Sequence, residues 1–126
     1  MTVSGLIRSS VPGRTDRHPI SVQENSYVFP ADVVSGLGQG NTEAGGALLD
    51  KILAPHAEQG HRMVHTGTGS VPIVVAGGEY IAPPSTVYSA GGGDPARGHK
   101  VFDKMVTSVR HSTARRMSQL PGPRKD

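Results

Sequence analysis

Apolar residues fall along this chain in short bursts, and the bursts come twice in the same order. Ile20 and Val22 alternate with polar neighbours, and a polar break then leads to Tyr27, Val28 and Phe29. Ile73 and Val75 alternate in the same way, and a Gly-Gly break leads to Tyr80, Ile81 and Ala82. Period-two alternation bounded by turn residues predicts β-strands. Asn25 and Gly78 occupy equivalent places in the two breaks, and both tolerate the positive φ of a tight turn. Each half therefore reads as a small β-hairpin.

Helical spacing follows each pair of strands. Pro30 in the first half, and Pro83 with Pro84 in the second, stand where a helix would begin. Gly38 and Gly91 stand where a C′ residue would end it, so each segment is a helix of about two turns. Asn41 and Asp94 are strong N-cap types, and Pro95 fills the N1 position of the second long helix. The first long helix is expected from about Thr42 to Leu53, with Pro55 ending it. The second meets no breaker before Pro121 and is expected through Met117. Phe102, Met105, Val106, Val109, Thr113, Met117 and Leu120 share one stripe of it, while Arg97, Lys100, Lys104, His111 and Arg115 share another.

The two series are in register without a gap, 53 residues apart: Pro19 to Leu53 lies over Pro72 to Val106 with 11 identities in 35 columns. Ordinary composition would give roughly two or three. The identities include Tyr27/Tyr80, Pro30/Pro83, Gly38/Gly91, Gly45/Gly98, Asp50/Asp103 and Lys51/Lys104. An internal duplication predicts an α+β fold of two pseudo-symmetric β-hairpin–short helix–helix repeats. Residues 19–53 form the first repeat and 72–120 the second, with a polar connector over 54–71 and extended arms over 1–18 and 121–126. Tyr27, Pro30, Gly38 and Asn41, with Tyr80, Pro83, Gly91 and Asp94, are the residues expected to define the repeated frame.

Composition limits what this frame can do. Leu, Ile, Val and Phe make up 27 of the 126 residues, near the lower bound for a folded chain, so the core is thin. Cysteine is absent, which excludes disulfides and thiolate chemistry. No apolar run reaches the ~18 residues of a membrane span. The first 20 residues lack an apolar signal region, so a soluble cytoplasmic product is expected. Net charge is −2 over residues 1–93 and +5 over 94–126, so the final third carries the basic character. Such an end suits an acidic protein surface or nucleic acid.

Candidate chemistry is sparse. Gly93-Asp-Pro-Ala-Arg-Gly98-His99-Lys100 superficially resembles a phosphate loop, but His99 displaces the lysine and Val101 replaces the hydroxyl. Its counterpart keeps Gly40 and Gly45 without any lysine, so these glycines serve geometry. His56, His61 and His65, with Glu58, match no metal-ligand spacing and read as a solvated connector. No nucleophile elbow occurs, and Asp50 and Asp103, each followed by Lys, read as solvated charge. No catalytic residue, cofactor or metal is expected. Arg110, Arg115, Arg116, Arg124 and Lys125 form a basic tail which, with Arg8 and Arg14 of the N-terminal arm, supplies candidate interface residues.

The segments SSVPGRTDRHPISV, SYVFPADVVSGLGQGNT, GGEYIAPPSTV, GGGDPARGHKVFDKMV and QLPGP resemble a family of small bacteriophage and prophage proteins associated with virion structural genes. The likeness runs from about Gly5 to Pro123. A shorter likeness, through VPG…D…P…V…YV.P, reaches a segment of phage tail tape-measure proteins. The resemblance implies a virion structural component, capsid- or tail-associated, that docks onto capsid, portal or tail subunits or onto copies of itself. The alternatives are a small basic DNA-associated phage protein and an assembly factor acting as scaffold or chaperone.

Overall fold

The computed structural model describes residues 3–7, 17–63 and 69–118. In order these form β1 (Gly5–Leu6), β2 (Arg17–Gln23), β3 (Tyr27–Phe29), α1 (Ala31–Leu37), α2 (Thr42–Met63), β4 (Ser70–Ala76), β5 (Tyr80–Ala82), α3 (Pro84–Ala90) and α4 (Pro95–Ser118). The described residues thus make an α+β fold with four helices and two small antiparallel sheets. The bounds of β4, β5 and α3, and the start of α4, each lie 53 residues after those of β2, β3, α1 and α2.

The expected hairpins do not form. Both turns are present: Asn25 has φ 69° and Gly78 φ 95°, with Ser26 N–H bonded to Gln23 O and Glu79 N–H to Ala76 O. Yet the strands on either side of each turn enter different sheets. β2 pairs with β4 over seven residues, and β3 pairs with β5 over three. Ile20 lies opposite Ile73 and Val28 opposite Ile81, so these residues pair with their own counterparts. Turn chemistry fixes the local bend but leaves the hydrogen-bonding partner open. A three-residue strand gains little from folding back on its neighbour. Pairing each strand with its counterpart builds both ladders and buries both halves together.

The β1–β5–β3 sheet has two working faces. Tyr27, Phe29, Tyr80 and Ala82 point towards the helices and pack with Val33, Val34, Leu49, Val87 and Phe102. Ile81 and Val28 point the other way, towards the β2–β4 ribbon, and meet Ile7, Val22 and Val75. Aromatic rings concentrate in the first layer: Phe29 and Phe102 centroids are 5.1 Å apart, and Tyr27 and Phe102 are 5.3 Å apart in an edge contact. Phe102 and Val106 are buried as the α4 stripe predicts. Met105, Val109 and Thr113 are partly buried beside them.

Helix ends follow the sequence with one shift. Pro30 and Pro83 are the extended N-cap residues of α1 and α3, and Asn41 and Asp94 accept backbone bonds from Ala44 and Ala96, each at 3.0 Å. Gly38 and Gly91 are not the left-handed C′ residues; their φ values are −91° and −95°. The left-handed positions are Gln39 and Gly40, matched by Gly92 and Gly93. Gly40 N–H bonds Ser35 O at 2.8 Å and Gly93 N–H bonds Tyr88 O at 2.7 Å, as a Schellman end requires. Gln39, exposed with φ 55°, is a side chain where Gly92 has none. Gln39→Gly should therefore stabilise the fold by about 1 kcal/mol, read as a higher urea midpoint with unchanged m-value.

The first long helix also departs from expectation: α2 continues through Pro55 to Met63. An interior proline costs roughly 3 kcal/mol through its missing N–H and the ring clash. Contacts on both sides of it hold the helix together. Leu49 and Leu53 are buried before it, and His56 Nδ1 lies 3.1 Å from Ser89 Oγ of α3 just after it. The α2 backbone thus takes in much of the connector assigned to 54–71.

Gly38 and Gly91 matter for proximity. Each packs against the start of the following helix, where Gly45 and Gly98 sit over the carbonyls of Val34 and Val87. A Cβ on any of the four would overlap backbone atoms. The glycines of the loop-like segment 93–100 thus belong to a helix crossing and its preceding turn.

Candidate interaction surface

Two tyrosine–aspartate bonds lock the halves to each other. Tyr27 O–H donates to Asp103 Oδ1 at 2.7 Å, and Tyr80 O–H donates to Asp50 Oδ1 at 2.5 Å. Each bond runs from a strand of one half to the long helix of the other. Asp50 and Asp103 are therefore more than solvated helix charges. Burial, reinforced by the carboxylate each hydroxyl faces, holds both phenols well above the usual tyrosine range.

The exposed sides of the same helix turns form open hollows. One, of about 530 Å³, is lined by Ala44, Ala47, Leu48, Asp50 and Lys51. The other, of about 430 Å³, is lined by Asp103, Lys104, Thr107, Ser108 and His111. Leu48 and its counterpart Val101 are 38% and 41% exposed, and Ile52 is 42% exposed. Both long helices thus present an aliphatic side chain to solvent at the matching position, beside the matching Asp-Lys pair.

The predicted interface arginines divide into groups. Arg110 grips Asp32 of α1 with two bonds of 2.9 Å, Nε to Oδ2 and Nη2 to Oδ1, and this pair holds the guanidinium further into its charged range. Both side chains are about half exposed, so the pair is screened by salt and adds little to stability. Arg116 reaches the carbonyl of Gly36 at 3.3 Å, and Arg115 donates to His111 Nε2 at 3.2 Å. Two of these three cations thus tie α4 to α1. Arg97, Lys100, Lys104, His111 and Arg115 are all exposed along α4, which keeps the second stripe on the surface. Arg8, Arg14, Arg124 and Lys125 lie outside the described residues, as do His65 and Leu120.

His56 Nδ1 lies 3.1 Å from Ser89 Oγ. Among the described residues no group of three or more His, Asp or Glu side chains is placed to hold a metal ion, and no helix is long and apolar enough to cross a membrane. Sequence reasoning missed the Tyr–Asp bonds and the His56–Ser89 bond. The first could have been sought in the repeat, because Tyr and Asp both match across it; nothing in the pattern marks the second. No protein-family model, curated protein or solved structure matches this chain.

Proposed function

We propose that this chain is a non-enzymatic structural component of a bacteriophage particle, acting by docking onto neighbouring protein subunits. The observation that carries the proposal is the matched pair of surface aliphatics, Leu48 and Val101, each beside an Asp-Lys pair on a long helix. A thin core with apolar side chains left outside suits a protein that completes its burial against neighbours. Two like patches on one chain would let modest contacts add through multivalency. The likeness of the sequence to small phage proteins points to the virion as the place. Mass spectrometry of particles purified from the phage that encodes the chain should detect it at defined stoichiometry. Finding it in proheads but not in finished particles would convert the reading to an assembly factor, and finding it in neither would remove it.

The exposed basic row on α4 favours a second reading, a small DNA-associated protein. Retardation of duplex DNA at low salt, lost towards physiological salt, would support that reading; an unshifted duplex at low salt excludes it.

A further inference from the structure

Residues 3–7 fill one edge of the three-stranded sheet, and among the described residues no strand fills the counterpart edge. On the filled edge Gly5 lies opposite Ile81 and Leu6 opposite Tyr80. Ile7 N–H bonds Glu79 O, Gly78 N–H bonds Ile7 O and, further up, Val3 N–H bonds Ser21 O, all at 2.8 Å. Moving each acceptor or paired position by 53 residues leads to Ser26 just before β3, to Tyr27 and Val28 on β3, and to Val74 on β4. Sheet order β1–β5–β3 leaves β3 as an edge, and among the described residues no strand lies on it.

Exposure follows this difference. Ile81, under the N-terminal segment, is 0% exposed, while its counterpart Val28 is only partly buried. Val74, the counterpart of Ser21, is 60% exposed, the highest value among the large apolar side chains of the described surface. Val74 thus sits uncovered, and Val28 only partly covered, along the line that a strand placed like residues 3–7 would follow. A sheet edge that carries no strand among the described residues, beside apolar side chains, is the setting for strand addition.

The occupant is not residues 3–7, which already lie along β5. Its chemistry is set by one substitution between the halves. Gly46 leaves the space that Leu6 enters; a Cβ there would come within 2.8 Å of Leu6 Cδ2. The counterpart of Gly46 is His99, whose ring centroid lies 5.4 Å from that of Tyr27 and whose Nε2 lies 3.3 Å from Asn25 O. His99 therefore occupies the space that Leu6 takes on the other side. We infer that the β3 edge accepts an extended strand from a partner protein, antiparallel to β3, with a short side chain facing His99 and aliphatic ones facing Val28 and Val74. The inference concerns any protein partner and stands apart from the virion reading.

The test uses the full chain with amide-resolved NMR and two synthetic probes: a peptide of residues 2–7, and the same peptide with Leu6→Gly. The Leu6→Gly peptide should shift the amides of Ser26, Tyr27, Val28, Phe29 and Val74 in a saturable way. The unaltered peptide should bind this edge about tenfold more weakly, since an aliphatic side chain misplaced in a packed site costs on that order. A His99→Gly chain should reverse the preference. Absence of shifts at Ser26–Phe29 at millimolar peptide overturns the inference, as do shifts confined to Gly78–Ile81, which report exchange with the chain's own segment. Equal affinity for the two peptides on the unaltered chain removes the selecting role of His99.

Discussion

Gly45→Ala and Gly98→Ala should each destabilise the fold by about 4 kcal/mol, although each adds a single methyl group. The added Cβ would enter the Val34 carbonyl oxygen in one case and the Val87 carbonyl oxygen in the other. Overpacking in a core typically costs 1–3 kcal/mol when side chains can move aside. Here the obstacle is backbone, fixed by bonds from Gly38 N–H to Val34 O and from Gly91 N–H to Val87 O. Relief would require the short helix to part from the long one, uncovering Val33, Val34 and Leu49, or Val87 and Phe102. A loss of this size is a large share of the stability of a domain this small and should lower Tm by roughly 10–20 °C. Gly40→Ala is the control. It meets nothing within 4 Å but has φ 96°, so only the conformational cost of about 1 kcal/mol applies. Urea unfolding of the three variants separates the effects. Losses near 1 kcal/mol at Gly45 and Gly98 would mean that the helices do not cross this closely.

That experiment bears on how the fold is written in the sequence. The positions of strands and helices are local matters, and local chemistry announces them: alternation at Ile20 and Val22, proline at Pro30 and Pro83, caps at Asn41 and Asp94. Spacing also marks the core face of α4, through Phe102 and Val106. What is not local is the choice of partner. Asn25 and Gly78 make the expected turns, yet β2 finds β4 and β3 finds β5, because a turn specifies a change of direction and not the edge the next strand joins. A duplicated sequence sharpens the ambiguity, since each strand has a near-equal competitor 53 residues away.

Pro55 fails to read correctly, and the two exposed aspartates read incompletely, for the same reason. Local propensity ends a helix at Pro55; burial of Leu53 and the bond from His56 to Ser89 carry α2 past it. Local context makes Asp50 and Asp103 solvent-facing helix charges, each followed by lysine. Only the exchanged pairing of the strands brings Tyr80 to one and Tyr27 to the other. The proposed docking surface is legible to a similar degree. Leu48 and Val101 are apolar in the sequence, but their exposure follows from which helix face the neighbouring half covers. That β3 is an edge strand among the described residues appears only once the pairing is known.

Replacing both tyrosines by phenylalanine should cost about 2–4 kcal/mol and remove a specific alkaline transition. Tyr27→Phe and Tyr80→Phe keep the rings that pack beside Phe29 and Phe102 and delete only the hydroxyls bonded to Asp103 and Asp50. A hydrogen bond to a charged acceptor contributes roughly 1.5–3 kcal/mol, and somewhat less here because both carboxylates remain in contact with solvent. The two bonds share no residue, so their losses should nearly add. The pH dependence follows from the direction of the phenol shifts. Both are raised in the folded chain, while a tyrosine of the unfolded chain ionises near pH 10. Below about pH 10 the hydroxyls are protonated in both states, and the full stabilisation is present. Above it the unfolded chain releases protons that the folded chain retains, so stability falls as pH rises, by at most about 1.4 kcal/mol per unit for each tyrosine. Tyrosinate absorbance from Tyr27 and Tyr80 should therefore grow in step with the loss of helical circular dichroism. The double phenylalanine variant should be less stable at pH 7 yet lose much less stability between pH 10 and pH 11. An unaltered pH slope in that variant would show that the two strand-to-helix bonds are not what couples the halves.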